Sequence, residues 1–124
     1  IRATLDSIAY QVHDVLSAME ADAKLAISSL KVDGGASAND FLMQTQADIV
    51  NVPVIRPKCV ETTALGAAYL AGLAVGYWTD REDVRKNWAS DCVFEPSIDS
   101  NEREARMKGW KKAVKYAYGW AKVE

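Results

Sequence analysis

The chain has 124 residues, of which 49% are hydrophobic and 26% charged, with a formal net charge of −2 at pH 7. That is the composition of an ordinary soluble globular protein, and the length allows one domain or a piece of one. With His13 as the only histidine, a multi-histidine metal site or a Ser-His-Asp triad unaided by another chain has little to draw on.

The opening Ile1-Arg2-Ala3-Thr4-Leu5 has no methionine and none of the basic flank, apolar core and small-residue cleavage site of a secretion leader. It falls directly into a helical pattern and reads as the start of a piece cut from something longer. Leu5, Ile8, Val12, Val15, Leu16 and Met19 step by three or four, which predicts an amphipathic helix over residues 4 to 21 with His13 on its surface. "ISSLKV" is short, apolar and partly β-branched, a strand ending at Val32. Asp33-Gly34-Gly35 breaks the pattern. Phe41, Leu42, Thr45 and Ile49 then mark a second helix that ends near Asn51, and "VPVIRP" reads as a second strand closed by Pro57.

"ETTALGAAYLAGLAVGYW" predicts a third helix starting around Glu61. Residues 64–78 carry no charge, yet that run is shorter than the roughly 20 residues a bilayer requires. Gly66, Ala68, Gly72 and Gly76 would instead let the helix pack close to a neighbour, so it is expected to be buried in protein. "TDREDVRKNW" reads as a polar surface helix, "CVFEP" as an extended stretch, and Ser100 onward as a last long helix.

Charge is uneven: residues 1–98 carry 8 Lys/Arg against 13 Asp/Glu, and residues 99–124 carry 7 against 4. The basic tail with Trp110, Tyr116, Tyr118 and Trp120 raises nucleic acid as a partner. Positive and negative charges alternate there, however, and Trp110, Val114, Ala117 and Ala121 fall at helical spacing, so a solvated amphipathic helix is the better account. Cys59 and Cys92 fit no metal or redox spacing and are expected as two buried free thiols in a reducing cytosol.

The order helix, strand, helix, strand, helix implies a helix-rich α/β fold with parallel strands and right-handed crossovers. Two strands make a poor sheet, so further strands are expected upstream. In such sheets ligands sit beyond the carboxyl ends of the strands, where Asp33-Gly34-Gly35 falls. Bare glycine backbone lets a ligand come close. The N-terminal amides of the next helix favour a phosphate, and Asn39, one turn after Gly35, can donate and accept hydrogen bonds. Neither G-x-x-x-x-G-K-[ST] nor G-x-G-x-x-G is present. A ligand-free turn capped by Asp33 or Ser37 therefore stands beside the nucleotide reading.

"IRATLDSIAYQVHDVLSAMEAD", "LKVDGGASANDFLMQTQADIVNVPVIRP", "ETTALGAAYLAGLAVGYW" and "GWKKAV" resemble successive blocks of the bacterial glycerol kinases. These belong to the FGGY sugar-kinase family, which shares the actin/Hsp70-like (ribonuclease H-like) ATPase fold. The resemblance implies that residues 1–124 form the C-terminal portion of the nucleotide-binding second domain, with the catalytic N-terminal domain outside this sequence. It implies a cytoplasmic enzyme that transfers the γ-phosphoryl group of ATP, with magnesium, to glycerol, giving glycerol 3-phosphate. Gly35 and Asn39 match the positions that contact nucleotide, Gly34 makes the turn and keeps the backbone clear, and Asp33 serves turn geometry. No catalytic residue is expected within the chain, Asp48 and Asp91 are expected on the surface, and these residues alone are expected to be inactive.

In some such kinases a stretch like "FEPSIDSNER" docks the glucose-specific phosphocarrier of the phosphotransferase system, and a glutamate there completes an intermolecular zinc site. Glu102 is the matching position, and Phe94, Pro96, Ile98 and Arg103 also agree; Ser97, Asp99, Ser100 and Asn101 do not all follow the pattern. The competing reading is a helix N-terminus capped by Ser100. A homo-oligomer is expected through an exposed sheet edge, with no nucleic-acid or membrane partner. The alternative functions are another FGGY-family kinase acting on a polyol or ketose, and a non-catalytic nucleotide-binding or interaction module.

Overall fold

The structure, a computed structural model, describes residues 1–87 and 89–120. Its elements run α1 (Arg2–Ala23), β1 (Leu30–Lys31), a 3-10 turn (Gly35–Ala38), α2 (Asp40–Val50), β2 (Val54–Pro57), α3 (Thr62–Ala74), α4 (Arg81–Lys86), β3 (Ser90–Phe94) and α5 (Ser100–Ala117). The helices fall where the apolar spacing puts them. The first strand is shorter than "ISSLKV" suggests, because only Leu30 and Lys31 find a ladder partner.

The sheet order is β1-β2-β3. β1 and β2 are parallel, as expected, pairing Leu30 with Val54 and Lys31 with Ile55. The extended stretch after α4 is a third strand and it runs antiparallel to β2, from Val54↔Phe94 to Pro57↔Ser90. The expectation of parallel strands alone is corrected there. The connection from β2 to β3 holds α3 and the short α4. They return the chain alongside β2 in the opposite sense. The register slips between Arg56 and Pro57, where proline lacks the N–H a regular ladder needs.

Helix α2 lies between two cores. On the sheet side Leu42, Met43 and Ala47 pack with Val54 and Phe94, joined by Leu30, Val32 and Cys92. On the other side Ile49 meets Ala9 of α1 and Met107 of α5, with Tyr10, Ile98 and Trp110 around them. Seven residues of α2 between Leu42 and Ile49 are buried, so this short helix organises both layers. α1 does not present its whole apolar row inward: Ala9 is fully buried, while Ile8, Val15 and Met19 are exposed. α5 crosses α1 through Trp110, which stacks on Tyr10 at 5.5 Å and donates from Nε1 to Asp14 Oδ2 at 2.7 Å. Burial, and then the Asp6 carboxylate, push the Tyr10 hydroxyl pKa up. Val114 is half-buried and Ala117 exposed; Ala121, the fourth residue of the expected apolar face, lies outside the described residues.

Two expectations about burial are overturned. α3 is exposed along much of its length, Leu70 included, and Gly72 is its one buried residue; Val75 just beyond it is exposed as well. The other residues of α3 are at most half-buried, an apolar surface that ordinarily marks an interface. Gly72 itself is required by Trp78, whose ring carbons would lie 2.2 Å from an added Cβ. Cys59 is exposed and Cys92 half-buried; both are free thiols. His13 is half-buried, with Nδ1 3.5 Å from Ser17 Oγ. In α4, hydrogen bonds from Thr79 and Lys86 hold the Asp83 carboxyl down at about 2. Among the described residues no helix is long and apolar enough to cross a membrane.

Candidate functional site

The carboxyl ends of the parallel strands β1 and β2 lie side by side, and the glycine corner begins where β1 stops. Gly34 sits at φ 78°, ψ 171°, a region that is essentially reserved for glycine. Its N–H donates to the Val60 carbonyl at 2.8 Å, which ties the corner to the loop after β2. Its own carbonyl accepts from the Ser37 N–H at 3.1 Å and the Ser37 hydroxyl at 2.7 Å. Ser37 is 1% exposed and closes the 3-10 turn from within.

Gly35 opens that turn with ordinary backbone geometry. A Cβ added at Gly34 or Gly35 would meet nothing within 4 Å. The corner is therefore bare toward open space and not toward the protein's own core. Beside it lies a recess of about 230 Å³ lined by Lys31, Val32, Asp33, Pro57 and Thr62. The Asp33 carboxylate does not cap the turn; it accepts from the Thr62 hydroxyl at the start of α3. It thus fastens the end of β1 to a different helix.

Asn39 caps α2: its Oδ1 accepts from the Leu42 N–H at 3.0 Å. The acceptor half of the side chain is consumed by the helix, as an N-cap requires. The amide nitrogen makes no hydrogen bond among the described residues. Gly35 and Asn39 do not share one helix: Gly35 opens the 3-10 turn and Asn39, in extended geometry, is the residue between that turn and α2.

Sequence reasoning missed Arg56. Its guanidinium is 13% exposed and contacts three segments: Nη1 donates to the Ser37 carbonyl at 3.0 Å and to Asp40 Oδ1 at 2.7 Å. Nε and Nη2 lie 3.0 and 2.9 Å from Asp91 Oδ2. The hydrogen bonds with Asp40 and then Asp91 raise the arginine's pKa further. The sequence did carry a signal. Arg56 is two residues from Val54, so a strand places both on one face, and a cation on a core face needs partners.

Asp48, expected on the surface, is 6% exposed. Its Oδ1 accepts from the Ser97 N–H, the Ser97 hydroxyl and Gln44 Nε2 at 2.7, 2.9 and 3.0 Å. Asp91 is half-exposed and belongs to Arg56. In the stretch 94–103, Phe94 is core, Ile98 packs on the second cluster, and Arg103 Nε donates to the Asp48 carbonyl at 2.6 Å. The N-cap of α5 is Asp99, which accepts from the Glu102 N–H at 2.8 Å, and not Ser100. The Glu102 carboxylate pairs with Arg106 one turn on. Among the described residues no group of three or more His, Cys, Asp or Glu could hold a metal ion.

Residues 1–75 match the FGGY family of carbohydrate kinases, C-terminal domain, and the chain belongs to that family. The glycerol kinase of Agathobacter rectalis is 66% identical over 98% of this chain and 24% of its own length. The chain thus spans about a quarter of the length of the curated relatives it matches. Among solved structures, Plasmodium falciparum glycerol kinase with ADP superposes with a TM-score of 0.84 at 34% identity, covering 94% of this chain and 24% of that one. A ligand-bound xylulose kinase from Lactobacillus acidophilus gives 0.76 at 24% identity, covering 98% of this chain and 25% of that one. The architecture is that of the actin/Hsp70-like ATPase fold, here as a helix-rich α/β unit with a small mixed sheet.

Proposed function

We propose that this chain is the C-terminal portion of the nucleotide-binding second domain of a cytoplasmic glycerol kinase, and that the corner at Gly34, Gly35 and Asn39 receives ATP. One observation carries the assignment of the corner. Bare backbone stands open at the carboxyl ends of two parallel strands, beside an asparagine whose amide donor is left over from helix capping. A ligand-free turn needs a glycine at Gly34 for its φ of 78°; it has no need of one at Gly35. The unfilled space at the second glycine favours an approaching ligand.

In this reading Gly34 sets the turn, Gly35 gives the nucleotide room, and Asn39 donates to it from Nδ2. ATP, when bound with magnesium, supplies the phosphoryl group that passes to glycerol. Magnesium in such reactions is held largely by phosphate oxygens and water, so this corner need offer it no carboxylate cage. The chain's part is positioning, on which phosphoryl transfer depends. The exposed apolar face of α3 is covered by the remainder of the kinase. Docking of a phosphocarrier at residues 94–103, with zinc held partly by Glu102, requires Arg106 to release that carboxylate.

The test joins these 124 residues to the preceding part of the Agathobacter rectalis glycerol kinase. The fused protein should form ADP in a glycerol-dependent manner, whereas the 124-residue chain alone should not exceed a no-protein blank. A folded but inactive fusion, or glycerol-dependent turnover by the chain alone, would overturn the proposal.

Asn39 needs a careful variant. Asn39→Ala removes the cap as well as the donor, and a lost cap costs about 1 kcal/mol. Asn39→Ser keeps an oxygen for the Leu42 N–H, as a good N-cap does, and deletes the amide donor without adding a charge. It should leave melting nearly unchanged and raise the KM for ATP by roughly 2- to 10-fold, the range for one hydrogen bond. A KM equal to that of the parent would remove Asn39 from the site.

A further inference from the structure

Arg56, from outside the glycine motif, is bonded to two of its residues, Ser37 and Asp40. The Ser37 carbonyl and the Asp40 carboxylate, both held by its Nη1, are the immediate flanks of Asn39. Two residues before Asn39 and one residue after it, the backbone is therefore anchored to a single cation. That cation is in turn held from the far side by Asp91 of β3. The Phe94 ring lies 5.3 Å from its central carbon, so it has little room to swing away.

We propose that Arg56 is the positioning residue of the nucleotide site, a latch through which strand β3 sets the place and direction of the Asn39 amide. This rests on the reading of the corner as a nucleotide site. The chemistry requires arginine. The planar guanidinium can reach a carbonyl and two carboxylates on different edges at once, and the point charge of a lysine cannot. The Ser37 carbonyl stands near the end of a short 3-10 turn, where the last carbonyls lack a partner within the turn and take another donor. Asp91 completes the latch from β3, which makes the antiparallel third strand part of the site although it never reaches the glycines.

A merely structural arginine would, when removed, lower stability and disturb both substrates alike. A latch on Asn39 acts on nucleotide affinity alone, raising the KM for ATP with kcat retained. In the fused kinase, Arg56→Met should raise the KM for ATP by up to about tenfold, the ceiling set by losing the Asn39 hydrogen bond itself. The KM for glycerol should stay within about twofold, and Arg56→Lys should recover part of the loss. In the 124-residue chain the same variant should speed amide hydrogen exchange across residues 37–42. Asp91→Asn, at a half-exposed position, serves as the milder variant if Arg56→Met does not fold, and should raise the KM for ATP in the same direction.

An unchanged KM for ATP in Arg56→Met, in an enzyme where Gly35→Val does raise it, refutes the latch and leaves the nucleotide site standing. So does an equal rise in both KM values. If Arg56→Met does not fold, an unchanged KM for ATP in Asp91→Asn refutes it. An unchanged KM in Gly35→Val refutes the nucleotide reading beneath it, whatever Arg56 does to exchange.

Discussion

Gly35→Val should raise the KM of the fused kinase for ATP by at least about tenfold while leaving the fold nearly as stable as before. The separation of the two effects follows from the space around the residue. A Cβ at Gly35 meets nothing within 4 Å, and the backbone there does not adopt a positive φ. A surface substitution of that kind usually moves stability by no more than about 0.5 kcal/mol. The isopropyl group then stands in the volume through which the nucleotide must approach. Gly34→Ala is the control with the opposite signature. Its Cβ also finds open space, but φ of 78° with ψ of 171° costs a side chain about 1–3 kcal/mol, so melting should fall by several degrees. Thermal melts of the 124-residue variants and ATP titrations of the fused enzyme give the two readouts. A KM for ATP that Gly35→Val does not move would mean the nucleotide rests elsewhere.

The residues legible in sequence were those whose role is local. Helical spacing located α1, α2, α3 and α5 because an apolar stripe or run is written in the helix itself. The glycine corner was legible because a strand, two glycines and a helix follow one another without interruption. What was not legible depends on partners far along the chain. Arg56 is satisfied by residues 16 to 35 positions away, and no local pattern names Asp91 as its partner. The direction of β3 follows from how α3 and α4 return the chain, which composition does not encode. α3 is the instructive failure. Its sequence says that it must be covered, and that inference concerns its neighbours; it does not say that the neighbours are among these residues. Asn39 shows a subtler limit, since the residue was found but the division of its side chain into a cap acceptor and a remaining donor needed coordinates.

Asp48→Ala should destabilise the 124-residue chain by about 2–4 kcal/mol, a large share of what a domain of this size possesses. The carboxylate is 6% exposed and one oxygen accepts three hydrogen bonds, two of them from Ser97. Hydrogen bonds to a charged acceptor contribute about 1.5–3 kcal/mol each, and stranded donors add a desolvation cost. The three share one oxygen and are not additive, which keeps the expected total near that of a single strong contact plus one orphaned group. The loss has a direction as well as a size. Ser97 precedes the Asp99 cap of α5, and the Arg103 guanidinium bonds the Asp48 carbonyl and the Ile98 carbonyl together. Removing the carboxylate should therefore free the connection between β3 and α5 before α2 itself, so amides 97–99 should lose exchange protection first. Asp48→Asn, which retains one accepting oxygen, should cost less than half as much. Urea denaturation followed by tryptophan fluorescence measures both, with Asp22→Ala on the exposed side of α1 as the reference for a solvated carboxylate. If Asp48→Ala unfolds at the same urea concentration as Asp22→Ala, the buried network contributes nothing to holding α5 against α2, and the packing of the second core around Ile49 must suffice alone.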